Sequence, residues 1–239
     1  MKPYYDEDGI TLYCGDCRDI LPLLEPVDLI VTDPAYGETS LAWDVPPTDW
    51  LPELSRLAPQ LWSFASMRMV LAGAFRDWPG WTFAQDVVWE KHSGSSFVAD
   101  RFKRVHEHLL HFYSGTWGDL YNVPPTTMLY GPAAHVRSNG RTPNDTAHTG
   151  DIGPRRSYES FGERLQRSVV YCRSEKGRAI HETQKPVYVT GLAVTNSCPP
   201  DGVVLDPFAG SCTTLIAARE LQRVTNTEWV PVERERRAA

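Results

Sequence analysis

The stretch Val27-Asp28-Leu29-Ile30-Val31-Thr32-Asp33-Pro34-Ala35-Tyr36-Gly37 constrains the fold more than any other part of the chain. Leu29, Ile30 and Val31 make a short apolar run bounded by turn signals, the pattern of a buried strand. Pro34 cannot donate to a sheet ladder, so the strand ends before it. Gly37 lets the chain turn away. Asp33 and Tyr36 then stand at the carboxyl end of a strand, where open α/β sheets place ligands. Taken alone, the stretch is equally well a strand end followed by a loop.

The rest of the chain supplies a sheet for it. Ile10 to Tyr13 reads as a strand, Cys17 to Leu24 as a short helix, and together with Leu29–Thr32 they suggest a βαβ unit. Asp16 lies at the strand-to-helix turn, either as a helix N-cap or as a ligand contact. Trp50 to Trp62 has helical spacing interrupted by Pro52 and Pro59. Met67 to Ala72, Phe83 to Trp89 and His108 to Phe112 read as strands, with Lys91 to His106 a polar, basic connection. Ser168 to Tyr171 is a further strand and Val187 to Ser197 a helix. Residues 203–228 repeat the theme of the opening. A buried strand, Val203 to Asp206, meets a small-residue turn, Pro207 to Ser211. A helix follows from Cys212 to Leu221, then a strand from Val224 to Thr227 that ends at Glu228. An acid about twenty residues past such a turn can bind ribose hydroxyls. The glycine-rich pyrophosphate loop is missing, so an adenosine cofactor without phosphates suits the unit better.

Charge is unevenly distributed. The chain of 239 residues has a net charge of -6, yet residues 101–185 carry 13 Lys and Arg against 8 Asp and Glu. A basic middle on an acidic body suits a protein whose polyanion contacts are confined to one face. From Ser114 to about Arg167, Pro and Gly turn signals are dense and periodicity is lost. Arg137, Arg141, Arg155 and Arg156 are interspersed there with Tyr121, Tyr130, Tyr158 and Phe161. An inserted region of irregular structure that contacts nucleic acid is the expectation. The chain thus divides into 1–113, an insertion 114–167 and 168–239. Five irregularly spaced cysteines form neither a disulfide framework nor a zinc site, so no metal is expected. No apolar run is long enough to span a membrane and the N-terminus lacks a signal peptide, so a cytoplasmic protein is the default.

Four motifs carry a resemblance to a known family. Asp33-Pro34-Ala35-Tyr36 resembles the D-P-P-Y motif of DNA amino-methyltransferases. Asp206-Pro207-Phe208-Ala209-Gly210-Ser211 resembles their S-adenosylmethionine motif, D-P-F-x-G-S-G. His181-Glu182-Thr183-Gln184-Lys185-Pro186 is similar to H-P-T-Q-K-P, and Gly15-Asp16-Cys17 to the G-D-C before the catalytic strand. The pairs Trp89-x-Lys91 and His106-Glu107 also occur in the family. Catalytic motif first and cofactor motif last is the order of the permuted β group.

The resemblance implies an α/β fold: a Rossmann-like, seven-stranded methyltransferase sheet with helices on both faces and an inserted target-recognition region. It implies S-adenosyl-L-methionine as cofactor and double-stranded DNA as partner, with a second copy of the chain as a candidate protein partner. Asp206, Phe208, Ala209, Gly210 and Ser211 would hold the methionine side of the cofactor, Gln184 and Lys185 would close over it, Glu228 would bind ribose and Asp16 adenine. Asp33, Pro34, Ala35 and Tyr36 would carry the catalysis. Departures are Ala35 for a second proline, Glu182 for a proline, Cys212 for a glycine at the cofactor turn, and Asn226 for a glycine. A pairing with a restriction enzyme and a phage or mobile-element origin would suit a chain of this kind.

The chemistry follows from the residues. An adenine amino nitrogen is a weak nucleophile because its lone pair is delocalised. Asp33 and the Pro34 carbonyl can accept its two protons, aim the lone pair and favour the developing charge. The base must leave the duplex to be reached, and Tyr36 offers a face to stack on. A leading Asp favours N6-adenine, with N4-cytosine the near rival. A DNA-binding module with a decayed cofactor site and an RNA or protein amino-methyltransferase are the other readings.

Overall fold

The computed structural model describes residues 2–47, 50–76, 78–95, 99–128, 135–138, 158–175, 177, 179–181 and 183–224. The chain divides into two compact units, residues 1–123 with 168–239, and residues 124–167. Residues 114–123, grouped above with the insertion, fall in the larger unit. Among the described residues no helix is long and apolar enough to cross a membrane.

The chain opens with β1 (Tyr5–Glu7) and β2 (Ile10–Leu12), an antiparallel hairpin. This corrects the βαβ expectation: Ile10–Leu12 pairs with the preceding residues because Asp8 and Gly9, both at positive φ, turn the chain straight back. Next come α1 (Cys17–Ile20) and a 3-10 turn, then β3 (Leu29–Thr32), buried throughout. The expected helix at Trp50–Trp62 is two elements, α2 (Leu51–Leu57) and β4 (Gln60–Ala65). Pro52 sits in the first turn of α2, where a missing N–H is harmless. Pro59 separates the two.

Met67–Ala72 is not a strand. It begins with α3 (Met67–Leu71), capped by the Ser66 hydroxyl, which accepts from Met69 N at 3.1 Å. A short apolar run does not declare its period, and the cap decides it. Then follow β5 (Thr82–Ser95) and β6 (Arg104–Tyr113), which extend well into the stretch expected to be a connection.

Within the smaller unit, β7 (Thr126–Met128), β8 (His135–Ser138), β9 (Tyr158–Phe161) and β10 (Glu163–Leu165) form two antiparallel pairs, β7 with β10 and β8 with β9. The region expected to be irregular therefore contains regular pairing. The larger unit resumes with β11 (Val169–Tyr171), α4 (Val187–Ser197), β12 (Val204–Leu205) and α5 (Thr213–Val224).

One six-stranded sheet of order β11-β5-β6-β4-β3-β12 organises the larger unit. Every neighbouring pair is parallel except the two made by β6. Val224, expected to open a strand, ends α5, and the rest of the strand expected at Val224–Thr227 lies outside the described residues.

Both faces are covered because alternate side chains point to opposite sides. Ile30, Leu61, Ala65 and Phe112 pack with Leu54 and Leu57 of α2. Leu29, Val31, Trp62, Phe64 and Leu109 pack with Val189, Ala193 and Val194 of α4, and Ala218 and Leu221 of α5 join them. A mixed α/β sheet with helices on both faces is the architecture the sequence led us to expect. Its parallel strands β3 and β12 end side by side, each followed closely by an acid.

Candidate active site

Asp33 follows β3 directly and both its carboxylate oxygens are engaged. The Tyr36 hydroxyl donates to Oδ1 at 2.9 Å, and Lys185 Nζ donates to Oδ2 at 2.6 Å. Lys185 is buried just ahead of α4 and lies 3.3 Å from Glu107 Oε2. The other oxygen of Glu107 accepts from Lys91. The result is a line of alternating charge, Lys91, Glu107, Lys185 and Asp33, capped by a tyrosine. The Lys185 ammonium also faces the rings of Tyr36 and Phe64, 5.3 and 5.2 Å from their centres.

Burial and charge compete along this line. Burial alone would lower the Lys185 pKa, but Asp33 and Glu107 outweigh it and hold the ammonium charged. Burial pushes Glu107 up, yet Lys185 and Lys91 bring it down to about 2. Asp33 ends above its ordinary value because desolvation exceeds the pull of Lys185. Desolvation and the Asp33 charge push the Tyr36 hydroxyl well up, so it stays a donor.

The loop after Asp33 is held by one buried carboxylate. Asp44 accepts from the backbone N–H of Tyr36, Gly37, Glu38 and Thr39, at 2.7 to 2.9 Å, and from the Thr39 hydroxyl. Burial raises its pKa, but this set of donors more than reverses that. Gly37 is at φ +69, and a Cβ there would lie 2.8 Å from the Pro46 ring, so only glycine fits. Glu38 is fixed in turn by the Ser66 hydroxyl and by Arg104 at 3.0 Å.

Asp206 occupies the matching place after β12, but its partners are neutral. Thr32 Oγ1 donates to Oδ1 at 2.9 Å and Phe208 N at 3.0 Å. Burial raises its pKa to about 6 in spite of them. The turn beyond passes through Gly210 at φ +49 and Cys212 at φ +59. Cys212 N bonds Ala209 O at 2.6 Å and its carbonyl accepts from Ile216 N, opening α5. A cysteine in the left-handed region is strained where glycine is not.

A cavity of about 290 Å³ joins the two acids. Of the residues singled out in the sequence, Asp33, Ala35, Gln184, Lys185, Asp206, Phe208, Ala209, Gly210 and Ser211 line it. Cys212 does not appear in its walls, so the departure at that turn changes the backbone rather than filling the space. Pro34 is buried. Tyr36 faces a second cavity of about 280 Å³, shared with Trp50, Met69 and Trp78. It is half-buried rather than exposed, because its hydroxyl is drawn to Asp33.

Lys185, expected to close over a cofactor, lines the cavity with its ammonium bound to Asp33 and Glu107. Asp16 stands apart from the cavity. It caps α1, accepting from Arg18 N and binding the Arg18 guanidinium, which is the plainer of its two sequence readings. Glu228, Arg141, Arg155 and Arg156 lie outside the described residues, and of Arg137 only the backbone, in β8, is described.

Sequence reasoning assigned no role to Lys91, Glu107, Asp44 or Phe64. The pairs Trp89-x-Lys91 and His106-Glu107 were the available signal. Trp89 lies opposite Glu107 across the β5–β6 ladder, which puts Lys91 diagonal to Glu107 on the same face.

Among curated proteins the chain is similar to the type II methyltransferase M.HinfI of Haemophilus influenzae, at 24% identity over a 276-residue alignment spanning 99% of this chain and 68% of that one. It is also 24% identical to the type II methyltransferase M.ScaI of Streptomyces caespitosus, over 93% of this chain and 77% of that one. Nothing in these likenesses supports a phage origin. Among solved structures, M1.HpyAVI in its SAM complex shares the fold with a TM-score of 0.57 at 21% identity, covering 88% of each chain. Another M1.HpyAVI structure gives 0.56 at 18%, covering 88% of this chain and 86% of that one. The family model N6_N4_Mtase, described as DNA methylase, matches residues 27–237. That span contains the acids after β3 and β12 and nearly the whole chain around them, and the protein belongs to this DNA methylase family.

Proposed function

We propose that the chain transfers a methyl group from S-adenosylmethionine to the N6 amino group of an adenine flipped out of double-stranded DNA. The observation that carries this reading is the cavity shared by Asp33 and the turn Asp206–Ser211. It puts a hydrogen-bond acceptor for an amine beside a candidate pocket for the methyl donor.

The residues present fit that donor. The charges of Lys91, Glu107, Lys185 and Asp33 cancel along their line, so Asp206, when ionised, gives the cavity its negative character and Lys185 has no charge to spare. Such a site suits a cationic sulfonium and offers no charge to a pyrophosphate. Phe208, Gly210 and Ser211 would hold the donor's methionine side, with Gln184 above it. Asp16 would reach adenine only by releasing Arg18. When bound, the donor supplies an electrophilic methyl group on sulfur.

Asp33 orients the amine. Each of its oxygens accepts one internal hydrogen bond and keeps a lone pair for a substrate N–H. Lys185 and Tyr36 fix the plane of the carboxylate, so the geometry exists before substrate arrives. The product nitrogen is cationic and must lose a proton, and an Asp33 raised by burial is a better acceptor for it than an ordinary carboxylate. The loop locked by Asp44 holds Pro34, whose carbonyl accepts a hydrogen bond from the second amine N–H in this scheme.

Arg137, Arg141, Arg155 and Arg156, within 124–167, are assigned to DNA contact on sequence grounds. Adenine is favoured over cytosine by the Asp that leads the motif. Sequencing DNA from cells that express the chain, with detection of modified bases, tests the reading. N6-methyladenine in one fixed context is expected; N4-methylcytosine would move the assignment to the rival base. Calorimetric titration with S-adenosylmethionine separates both from a decayed module, which would bind DNA and no cofactor.

A further inference from the structure

The β5–β6 hairpin is longer than the sheet it belongs to. β4 pairs with β6 only as far as His108, and β11 pairs with β5 only as far as Glu90. Beyond these points the two strands continue together to Ser95 and Arg104. β5 runs parallel to β3 and β12 in the sense of the sheet, so the projecting end rises from the edge that carries Asp33 and Asp206.

Three contacts fix this arm to the site. Lys91 and Glu107 bridge its two strands, and Glu107 reaches Lys185. Arg104 binds Glu38, on the loop locked by Asp44. The strands are pressed together as well: a Cβ on Gly94 would stand 1.9 Å from the Arg104 carbonyl oxygen. The described part of the arm, which has an irregularity in register between Glu90 and Ser95, is thus tied to the site.

Two residues beyond Arg104, at the arm's end, Phe102 is 101% exposed. It is flanked by Arg101 and by Lys103, also exposed. Arg101 is paired with Asp100 at 2.8 Å, but both side chains are about two-thirds exposed, so the pair is weak and exchangeable. A single exposed ring is ordinary on a protein surface, but a ring between two cations beside the edge that carries the site offers a face that a polyanion with apolar bases would cover. Duplex DNA does so in a chemically specific way. Cations meet phosphates, and an apolar ring fills a gap in the base stack.

We propose that Arg101, Phe102 and Lys103, just ahead of β6, form a DNA wedge, with Phe102 entering the duplex where the target base leaves and Arg101 and Lys103 gripping the flanking backbone. The inference rests on the reading of the chain as a base-flipping DNA methyltransferase and adds to it the group that supports the opened duplex.

The test uses the full chain and the duplex context found in expressing cells, in two forms: target base normally paired, and target base opposite an abasic position. The second form has already lost the pairing that flipping must break. Phe102→Ala should lower single-turnover methylation of the paired duplex by roughly tenfold to a hundredfold, because unstacking is no longer offset. On the abasic form it should recover to within a few-fold of the wild type. Phe102→Leu should fall between. Cofactor affinity and thermal melting should not move, since the ring is fully exposed.

Equal loss on both duplexes, or no loss, overturns the wedge. Fluorescence anisotropy measures duplex binding independently of methyl transfer. A wild-type chain that binds duplex but methylates nothing contradicts the proposed activity. In that event the wedge stands only if Phe102→Ala weakens binding to the paired form more than to the abasic form. A chain that binds no DNA overturns both.

Discussion

Asp33 and Asp206 are near-equivalents in the fold: each follows a parallel strand, the strands are neighbours, and both acids line one cavity. Their surroundings differ. Asp33 is met by an ammonium and a phenol, within a line of buried charges. Asp206 is met by the hydroxyls of Thr214 and Thr32 and a backbone N–H. Two acids raised by the same burial therefore differ in what opposes it. A charge partner fixes Asp33 in place, while neutral donors leave Asp206 free to titrate at about 6. Position in the sheet supplies a ligand edge, and the partners distribute roles along it.

The largest expected effect breaks the first half of this comparison. Asp33→Ala should reduce methyl transfer by roughly 10²–10³-fold or more, the scale of a lost pre-organised acceptor. Calorimetry should show cofactor affinity almost unchanged. Lys185→Met leaves buried Asp33 without a cation and Glu107 with Lys91 alone. It should cost about 3 kcal/mol of stability in urea unfolding, as for a broken buried pair. Adding Asp33→Asn to Lys185→Met should return part of that loss, because Asp33 is the carboxylate left without a cation.

The second half is sharpened by pH. Because Asp206 titrates at about 6 in the folded chain against an ordinary 3.8, the folded state binds the extra proton more tightly. Between those values stability contributed by this group falls as pH rises, and it is fully present only below them. Ionisation helps a cationic donor, so cofactor affinity should climb through the same window. Asp206→Asn should flatten both trends, followed by urea unfolding and calorimetry across pH. The smallest effect concerns the turn beside it. Cys212→Gly removes a left-handed cysteine and should raise stability by about 0.5–1 kcal/mol, read as a higher Tm, without crowding or emptying the cavity.

Much of the site was readable in advance because it is built from short local motifs. Asp33-Pro34-Ala35-Tyr36 and Asp206 to Ser211 each carry their own turn chemistry, so their positions after strands followed from Pro34, Gly37 and Gly210. The same locality explains the misreadings. Met67–Leu71 and Gln60–Ala65 are short apolar runs whose period is set by neighbours: a serine cap for one, strands on both sides for the other. Ile10–Leu12 has strand chemistry but pairs backwards, since nothing local names a strand's partner.

By itself the sequence determined where the acids stand, that an α/β sheet presents them, and that the middle of the chain is basic. Only the tertiary structure decided their partners. Lys185 is 152 positions from Asp33, and Thr32 is 174 from Asp206. Pairings over such distances depend on strand order and register, which one-dimensional pattern does not encode. The fold also engaged Asp16 as the cap of α1, and raised Phe102 on an arm beside the site. Each followed from which groups packing brought within a few ångströms, where burial makes charge and hydrogen bonding decisive.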